Sequence, residues 1–332
     1  MAYTTIDKPT DYFNTVLYTG NGSDNHTITG VGFQPDMIWI KERSSTSSHY
    51  LTSVGLGIGT RLEPDGTSTE ATEGISAVTS DGFTIGTSTN QVNQNTITHV
   101  AWNWLAGGSP SSNTDGSITS SVSASTTAGF SIVSWTGNAT SGATIGHGLG
   151  VKPRMIITKR RDSTSQWQTY EAINGATKYM TLNQTDATSS STTRWNDTEP
   201  TTSVFSVGNS TEVNASGGTY IAYCFADVKG YSKIGSYTGN GSNDGSFIWT
   251  GFKPAWVLIK NSSTGNISWT LYDNKRPGYN EDNAYLLPNS SDSELSDKDI
   301  DLLSNGFKPR TSNSALNTSG DTYIYMAFAE SP

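Results

Sequence analysis

The sequence predicts an all-β protein made of three tandem homologous antiparallel β-sandwich domains of jelly-roll-like type. Good helix formers are scarce, and charged residues make up only 15% of the 332-residue chain. Ser, Thr, Asn and 34 Gly supply turns, and aromatic residues, at 10% of the chain, favour packed pleated sheets over disorder. The third observation is internal repetition, because four sequence markers recur three times in the same order.

The four markers are short. The first is an aromatic residue followed by Thr-Gly-Asn, and the second is a Pro that opens an apolar run ending on Lys. The third is a Phe in a turn context, and the fourth is a seven-residue segment that begins with Thr. In chain order they begin at Tyr18, Pro35, Phe83 and Thr98, then at Trp135, Pro153, Phe205 and Thr219, and then at Tyr237, Pro254, Phe307 and Thr322. The nearly constant spacing predicts one domain of roughly 100 residues for each set, the size of a small β-sandwich.

Two of the markers predict strands. The run after each Pro is apolar on both faces, which predicts a central strand covered on both sides. The fourth marker places large apolar residues at alternate positions, which predicts a half-buried strand. The residues expected to be buried in equivalent places are Met37, Trp39, Met155, Ile157, Trp256 and Leu258.

Domain boundaries follow from the marker positions. Residues 1–12 carry no marker and are interpreted as an N-terminal arm, and the repeats are predicted at 13–106, 129–228 and 229–332. Residues 107–128 are rich in Gly, Ser and Thr, which predicts a linker. Repeats 2 and 3 are therefore expected to touch, whereas repeat 1 is expected to be hinged.

Charge and composition argue against several classes of protein. A formal net charge of −9 and the lack of a basic stripe argue against nucleic-acid binding. The single Cys excludes an intrachain disulfide and a Cys-based zinc site. The N-terminus does not resemble a signal peptide, and no apolar run approaches the ~18 residues of a membrane span, so membrane insertion is not expected. An exterior-type composition without an export signal fits a protein released by lysis, such as a component of a virus particle.

The sequence predicts no catalytic residue, no metal site and no cofactor. His99 and Cys224 occupy repeated strand positions, which indicates a structural role. Acidic residues crowd the third repeat between Asp273 and Asp301, and they are interpreted as a solvated loop. A pair of glycosidase carboxylates and a Ca²⁺ site stay open as alternatives, although the spacing does not match a known calcium loop.

The favoured contact site for a receptor or glycan is a loop of the third repeat. Trp269 and Tyr272 match Trp167 and Tyr170 in spacing, so these four aromatic residues are interpreted as packing. The segment that follows Tyr272 has no counterpart in the other repeats, and loops on a rigid scaffold commonly carry binding function. The candidate contact residues are Asp273, Asn274, Arg276, Tyr279 and Tyr285.

The Thr-Gly-Asn-Gly turn, the Gly-Phe-x-Pro strand and the closing Thr-Tyr-Ile strand together resemble a repeat of structural proteins in marine tailed bacteriophages. Those proteins include tail-fibre and tail-associated components. The resemblance extends from about Asp11 to Pro332 and is clearest from Trp249 to Trp256 and from Tyr323 to Glu330. The first repeat departs from it at Trp102 to Leu105. The resemblance implies a virion component and supplies no catalytic residues to carry over.

These observations lead to an expected function. The chain is expected to be a non-enzymatic protein on the exterior surface of a bacteriophage virion, with a tail fibre or tail-associated receptor-binding role favoured. A capsid decoration or head-fibre protein stays open, as does a carbohydrate-active enzyme that acts on host surface glycans. The expected partners are other virion proteins, further copies in a homotrimer and a host surface glycan, with the N-terminal end docked on the particle.

Overall fold

A computed structural model describes residues 4–87, 89–276, 280 and 284–332. Its described residues form 26 strands, three α-helices of one turn each and one short 3₁₀ turn at Pro9–Asp11. Every ladder between two of these strands is antiparallel. The all-β, antiparallel fold class predicted from composition is therefore confirmed.

The strands fall into three consecutive sets, here called unit 1 (13–104), unit 2 (111–225) and unit 3 (232–331). Unit 1 contains β1 (Phe13–Thr19), β2 (His26–Thr29), β3 (Met37–Glu42), β4 (Tyr50–Ser53), β5 (Thr60–Leu62), β6 (Ala71–Thr72), β7 (Ile75–Thr79), β8 (Gly82–Ile85), α1 (Asn90–Asn93) and β9 (Thr98–Trp104). Unit 2 contains β10 (Ser111–Asn113), β11 (Ser120–Ser125), β12 (Phe130–Thr136), β13 (Ala143–Gly146), β14 (Met155–Arg160), β15 (Gln168–Glu171), β16 (Lys178–Thr181), β17 (Ser189–Ser190), α2 (Thr192–Trp195), β18 (Val204–Val207), α3 (Thr211–Asn214) and β19 (Thr219–Phe225). Unit 3 contains β20 (Ser232–Thr238), β21 (Ile248–Trp249), β22 (Lys253–Asn261), β23 (Thr270–Asp273), β24 (Ile300–Leu303), β25 (Gly306–Pro309) and β26 (Thr322–Ser331).

Each unit is a sandwich of one large and one small sheet. The large sheets have the orders β1-β9-β3-β4-β5-β6, β10-β11-β12-β19-β14-β15-β16-β17 and β20-β26-β22-β23. The small sheets have the orders β2-β8-β7, β13-β18 and β21-β25-β24. One face of each large sheet packs on its own small sheet around a separate apolar cluster. The interdigitating faces explain why the run after each Pro is apolar on both faces.

The closing strand of each unit differs from its prediction. β9, β19 and β26 are buried on both faces rather than on one. The reason is their place in the sheet, because each lies between the opening strand and the Pro-initiated strand at the centre of a large sheet. Small residues such as Ala101 and Ala222 face the small sheet, where little space is available.

The second face of all three large sheets packs into one shared interior, here called the central core. The six residues predicted to be buried in equivalent places all belong to it, so that prediction is confirmed. Its aromatic rings make edge contacts across units, and the rings of Trp104 and Trp256 have centroids 5.7 Å apart. Phe225 and Phe328 meet at 6.0 Å in the same way. Three sheets of one chain thus close around a single apolar interior.

The segment 107–128 is not a free linker. Two strands form in it, β10 and β11, and β11 pairs along its length with β12 at the edge of the unit 2 sheet. Ser, Thr and Ala suit this edge because alternate side chains face solvent there. Ala106 and Gly108 at its start donate their backbone N–H groups to the Asp36 carboxylate, which fixes unit 1 against it.

The described residues of the N-terminal arm pack against the rest of the chain. Among its described residues, Ile6 is 1% exposed and belongs to the central core. The Thr4 hydroxyl donates to the Lys229 carbonyl oxygen at 2.6 Å. The arm therefore covers the core at the passage from unit 2 to unit 3, because an apolar side chain there gains by leaving water.

The Thr-Gly-Asn turn of each unit is held by a second, buried Asn. In unit 3, Asn317 accepts from the backbone N–H of Asn240 at 2.9 Å and donates to the Asn240 side-chain oxygen at 2.8 Å. Asn93 and Asn214 bond the corresponding turns of units 1 and 2 in the same way. All three amides are fully buried. Each buried Asn side chain takes the place of a backbone partner for the turn, which explains why the same turn sequence recurs in all three units.

Candidate functional site

The interfaces between units repeat one pattern of contacts. Trp167 of unit 2 donates its indole N–H to the Glu63 carbonyl of unit 1 at 2.8 Å. Trp269 of unit 3 donates to the Thr181 carbonyl of unit 2 at 3.1 Å. In unit 1, His49 takes the equivalent place before β4, and its Nε2 lies 3.0 Å from the Leu287 carbonyl of unit 3. The contacts run from unit 2 to unit 1, from unit 3 to unit 2 and from unit 1 to unit 3, so they form a closed ring.

Two residues before Trp167, Trp269 and His49, a backbone hydrogen bond links the same two units as the side-chain contact. The donors and acceptors of these bonds are Ser165 to Thr67, Ile267 to Thr185 and Ser47 to Ser291. Backbone groups buried at such an interface require partners, and these pairs supply them. The ring closure is thus made by main chain as well as side chains.

His49 is a neutral histidine with both ring nitrogens used. Its Nδ1 accepts from the Trp39 indole N–H at 2.8 Å, so its Nε2 carries the proton that goes to the Leu287 carbonyl. Burial is the main cause that lowers the pKa of His49 to about 3, and the charge on Lys41 adds to it. An imidazole held in one tautomer without a titrating partner is structural.

Three buried lysines stand at the end of the Pro-initiated strands. Lys41, Lys159 and Lys260 are fully buried, and each donates to the carbonyl of the next residue. Lys159 also reaches Thr67 of unit 1, and Lys260 reaches Thr185 of unit 2. Burial lowers the pKa of all three to about 8. The ammonium groups of Lys159 and Lys260 thus satisfy carbonyl oxygens across the interfaces between units.

Two of the predicted contact residues lie in the interior. Asp273 and Arg276 are buried and form an ion pair of 2.8 Å. Asp273 also accepts the backbone N–H groups of Lys275 and Arg276 and the indole N–H of Trp102. Glu171 does the same for the turn after β15, accepting from Ile173 and Asn174. Asp273 is therefore a turn-closing carboxylate and not an exposed sugar contact.

Two of the other predicted contact residues, Tyr285 and Asn274, have partners within unit 3. Tyr285 is 1% exposed, packs on Tyr272 and bonds Asp297 and Lys298 through its hydroxyl, so it is not the exposed aromatic residue that the sequence predicts. Tyr285 forms an isolated β-bridge with Leu295 and belongs to the apolar cluster of unit 3, which explains its burial. Asn274 is half-buried and donates its backbone N–H to Ala255. Tyr279 lies outside the described residues.

Acidic groups of the third unit largely have cationic partners. Glu294 accepts two hydrogen bonds from Arg43 of unit 1 and lies 3.4 Å from Arg276. Asp301 pairs with Arg310. Among the described residues, no group of three or more His, Cys, Asp or Glu side chains is arranged to hold a metal ion. Cys224 is buried, and burial raises its pKa to about 12, which suits a small strand residue.

A surface groove of about 370 Å³ lies where unit 2 passes into unit 3. Its lining residues are Asp227, Val228, Lys229, Gly230, Ser232, Lys233, Trp249, Thr250 and Gly251. Trp249 is 57% exposed, and Lys233 Nζ lies 5.8 Å from the centroid of its ring. Phe247 immediately precedes β21, two residues before Trp249, and is 46% exposed. Two large exposed aromatic residues so near in sequence mark a candidate contact surface.

The repeated register gives the signal that sequence reasoning missed. Ile28, Ile145 and Ile248 pair with the equivalent Phe of the third marker in each unit. The two flanking positions are Thr27 and Thr29 in unit 1, Thr144 and Gly146 in unit 2, and Phe247 and Trp249 in unit 3. The fold therefore tolerates small residues at both places, and the two aromatic side chains are particular to unit 3.

The family model described as a domain of unknown function, DUF7483, matches residues 8–332, and the chain belongs to that family. No curated protein and no solved structure matches it. Among the described residues, none of the helices is long and apolar enough to cross a membrane.

Proposed function

We propose that this protein is a non-enzymatic structural component on the surface of a bacteriophage particle, with a tail-fibre or tail-associated role. The single observation that carries the proposal is the ring of contacts from His49, Trp167 and Trp269 around one shared core. Such a body is stiff because its three sheets cannot move independently. Stiffness suits a part that carries load or presents a surface.

Two further observations support the proposal. The repeat resembles one in structural proteins of marine tailed bacteriophages, and the resemblance covers nearly the whole chain. Titratable groups in the described interior serve packing and interfaces, as His49, Lys159 and Asp273 illustrate. A non-enzymatic role accounts for this use of ionisable groups better than a reaction does.

The experiment is to locate the chain on purified particles of the phage that encodes it. Immunogold labelling and a cryo-EM map should place it on the exterior, and the map distinguishes a tail position from a capsid position. Mature particles that lack the chain would overturn the proposal. In parallel, purified protein incubated with host surface polysaccharide should release no new reducing ends; release would favour the carbohydrate-active enzyme instead.

Self-association into a homotrimer stays a prediction. The absence of cross-links led to the expectation that interfaces supply rigidity, and interfaces of this kind occur between the units of one chain. Light scattering on the purified protein measures the oligomeric state directly. A mass of three chains supports the trimer, and a mass of 35.5 kDa contradicts self-assembly in solution.

A further inference from the structure

We infer that the groove at Trp249 binds an oligosaccharide by stacking one pyranose ring on the exposed indole. This deepens the proposed function and rests on it only for the source of the glycan. The aromatic surface is not required by the fold, since units 1 and 2 carry Thr29 and Gly146 at the place of Trp249. An exposed indole costs solvation without adding to the core, so a contact with a ligand accounts for it.

The geometry around the ring suits a sugar. Trp249 stands at the wall of a groove of about 370 Å³, within the range of small-ligand sites. The flat C–H face of a pyranose packs on an aromatic face, whereas its hydroxyl groups need hydrogen-bonding partners at the edge. Phe247, two residues before Trp249 in the sequence and also exposed, offers a second aromatic surface to a neighbouring sugar unit.

The groove supplies those partners. Asp227 and Lys229 are exposed at the wall of the groove and can contact sugar hydroxyl groups. Ser232 and Thr250 also line the groove, but they are buried and their hydroxyl groups donate to the carbonyls of Ala226 and Phe252. Asp227 is held in place, because one carboxylate oxygen accepts the Ile234 backbone N–H at 2.7 Å. Its other oxygen lies 3.8 Å from Lys233 Nζ. Hydrogen bonds from hydroxyl groups to charged partners are stronger than those to neutral ones.

The same chemistry disfavours other occupants. The buried centre of a protein interface is depleted in Lys and Asp, whereas this groove presents both around its aromatic wall. A nucleobase also stacks on aromatic rings, but a chain with a net charge of −9 repels the attached phosphates. A neutral polyhydroxylated ring therefore fits best.

Tryptophan fluorescence tests the inference on the full chain. All nine Trp residues are described, and the eight others are at most 5% exposed, so emission that acrylamide quenches belongs to Trp249. The probes are hexasaccharides of glucose, galactose, mannose and N-acetylglucosamine, together with purified surface polysaccharide of the host bacterium. At least one probe should protect Trp249 from acrylamide in a saturable manner.

The variants follow the internal repeat. Trp249→Thr and Phe247→Thr copy the unit 1 residues, so both should fold with an unchanged melting temperature. Trp249→Thr should weaken binding of the protecting probe at least about tenfold, measured by calorimetry. The matched control is Val151→Thr, because Val151 is 47% exposed on unit 2 and does not line the groove, and the affinity of this variant should stay unchanged.

Three outcomes overturn the inference: no probe protects Trp249, Trp249→Thr binds as tightly as the unsubstituted protein, or Trp249 becomes protected only in a Trp249-dependent dimer seen by light scattering. The inference and the proposed function fail separately. Presence of the chain on particles without any glycan binding removes only the inference. Glycan binding by a chain that is absent from particles removes only the proposed function.

Discussion

Trp102 of unit 1 donates its indole N–H to the buried Asp273 carboxylate of unit 3 at 2.9 Å. Tyr223 takes the equivalent place in unit 2, and its hydroxyl lies 3.2 Å from Ser53 Oγ of unit 1. In unit 3 the place is occupied by Met326, which packs in the central core without a donor. One repeated strand position therefore makes a hydrogen bond between units in two of its three copies and an apolar contact in the third.

The Asp273–Arg276 pair should be essential to the interface between units 1 and 3. Arg276→Ala leaves a buried carboxylate without its cation, and removing one partner of such a pair typically costs ~3–5 kcal/mol of unfolding free energy. Chemical denaturation measures the loss. Arg310→Ala is the matched control, because Arg310 pairs with Asp244 and Asp301 near the surface and its loss should destabilise the protein far less. Equal losses in the two variants would contradict the structural role given to Asp273.

Trp256 should contribute strongly to stability through the central core. It is fully buried, and its ring lies 5.7 Å from those of both Trp104 and Phe328. Trp256→Ala should lower the free energy of unfolding by ~3–5 kcal/mol, as other large core aromatics do. Leu17→Ala serves as the comparison, since Leu17 is 39% exposed and should change stability by less than ~0.5 kcal/mol. A Trp256→Ala protein with unchanged stability would show that the units do not share this core.

Acidification should reveal the neutral state of His49. Its pKa is lowered to about 3 from the usual 6.5, so between these values the unfolded chain binds a proton that the folded chain does not. The stabilisation is fully present above pH 6.5 and is lost as the pH falls, with a slope of at most ~1.4 kcal/mol per pH unit. Comparison with His49→Gln isolates this slope, because carboxylate titration is common to both proteins. Parallel pH profiles of the two proteins would be inconsistent with the His49 geometry.

The buried lysines should make stability depend on pH in the alkaline range, whereas His49 acts in the acidic range. Burial lowers the pKa of Lys260 to about 8 from 10.5, so the folded state loses its proton first as the pH rises. Between pH 8 and 10.5 the unfolded chain holds more protons than the folded chain, because the folded protein no longer carries the buried charge. The free energy of unfolding of the unsubstituted protein should therefore rise with pH relative to that of Lys260→Met. Denaturation at pH 7.5, 8.5 and 9.5 measures this difference. A difference that stays constant across these values would mean that Lys260 is solvated.

The sequence predicted the strands better than their assembly. The apolar runs that contain Trp39, Ile157 and Trp256 are buried as expected, because periodicity and the effect of Pro are local properties. The shared core could not be predicted, because an apolar residue on either face of a strand looks the same whether it meets its own small sheet or another unit. Gly/Ser/Thr composition likewise does not distinguish strands β10 and β11 from a flexible linker.

Three of the candidate contact residues, Asp273, Arg276 and Tyr285, are buried, and the repeat already contained a signal for this. Asp273 follows Trp269 by four residues, and Glu171 follows Trp167 by the same interval, so the repeat itself indicates a structural carboxylate. Trp249 could have been found by the same comparison, because exposure of an aromatic residue becomes visible once Thr29 and Gly146 are set beside it. Departure from the repeat, more than crowding of polar residues, is the informative signal.

Ring closure within a single chain has a consequence for symmetry and stoichiometry. Head-to-tail contacts among separate identical subunits form a ring only when enough copies meet, and every subunit then displays the same features. Here tethering keeps the three units at a high effective concentration, so closure does not depend on how much protein is present. The three outer faces are also free to diverge. A ring of identical subunits would offer three copies of the Trp249 groove, whereas this chain offers one, so the inferred binding site is single and directional in each molecule.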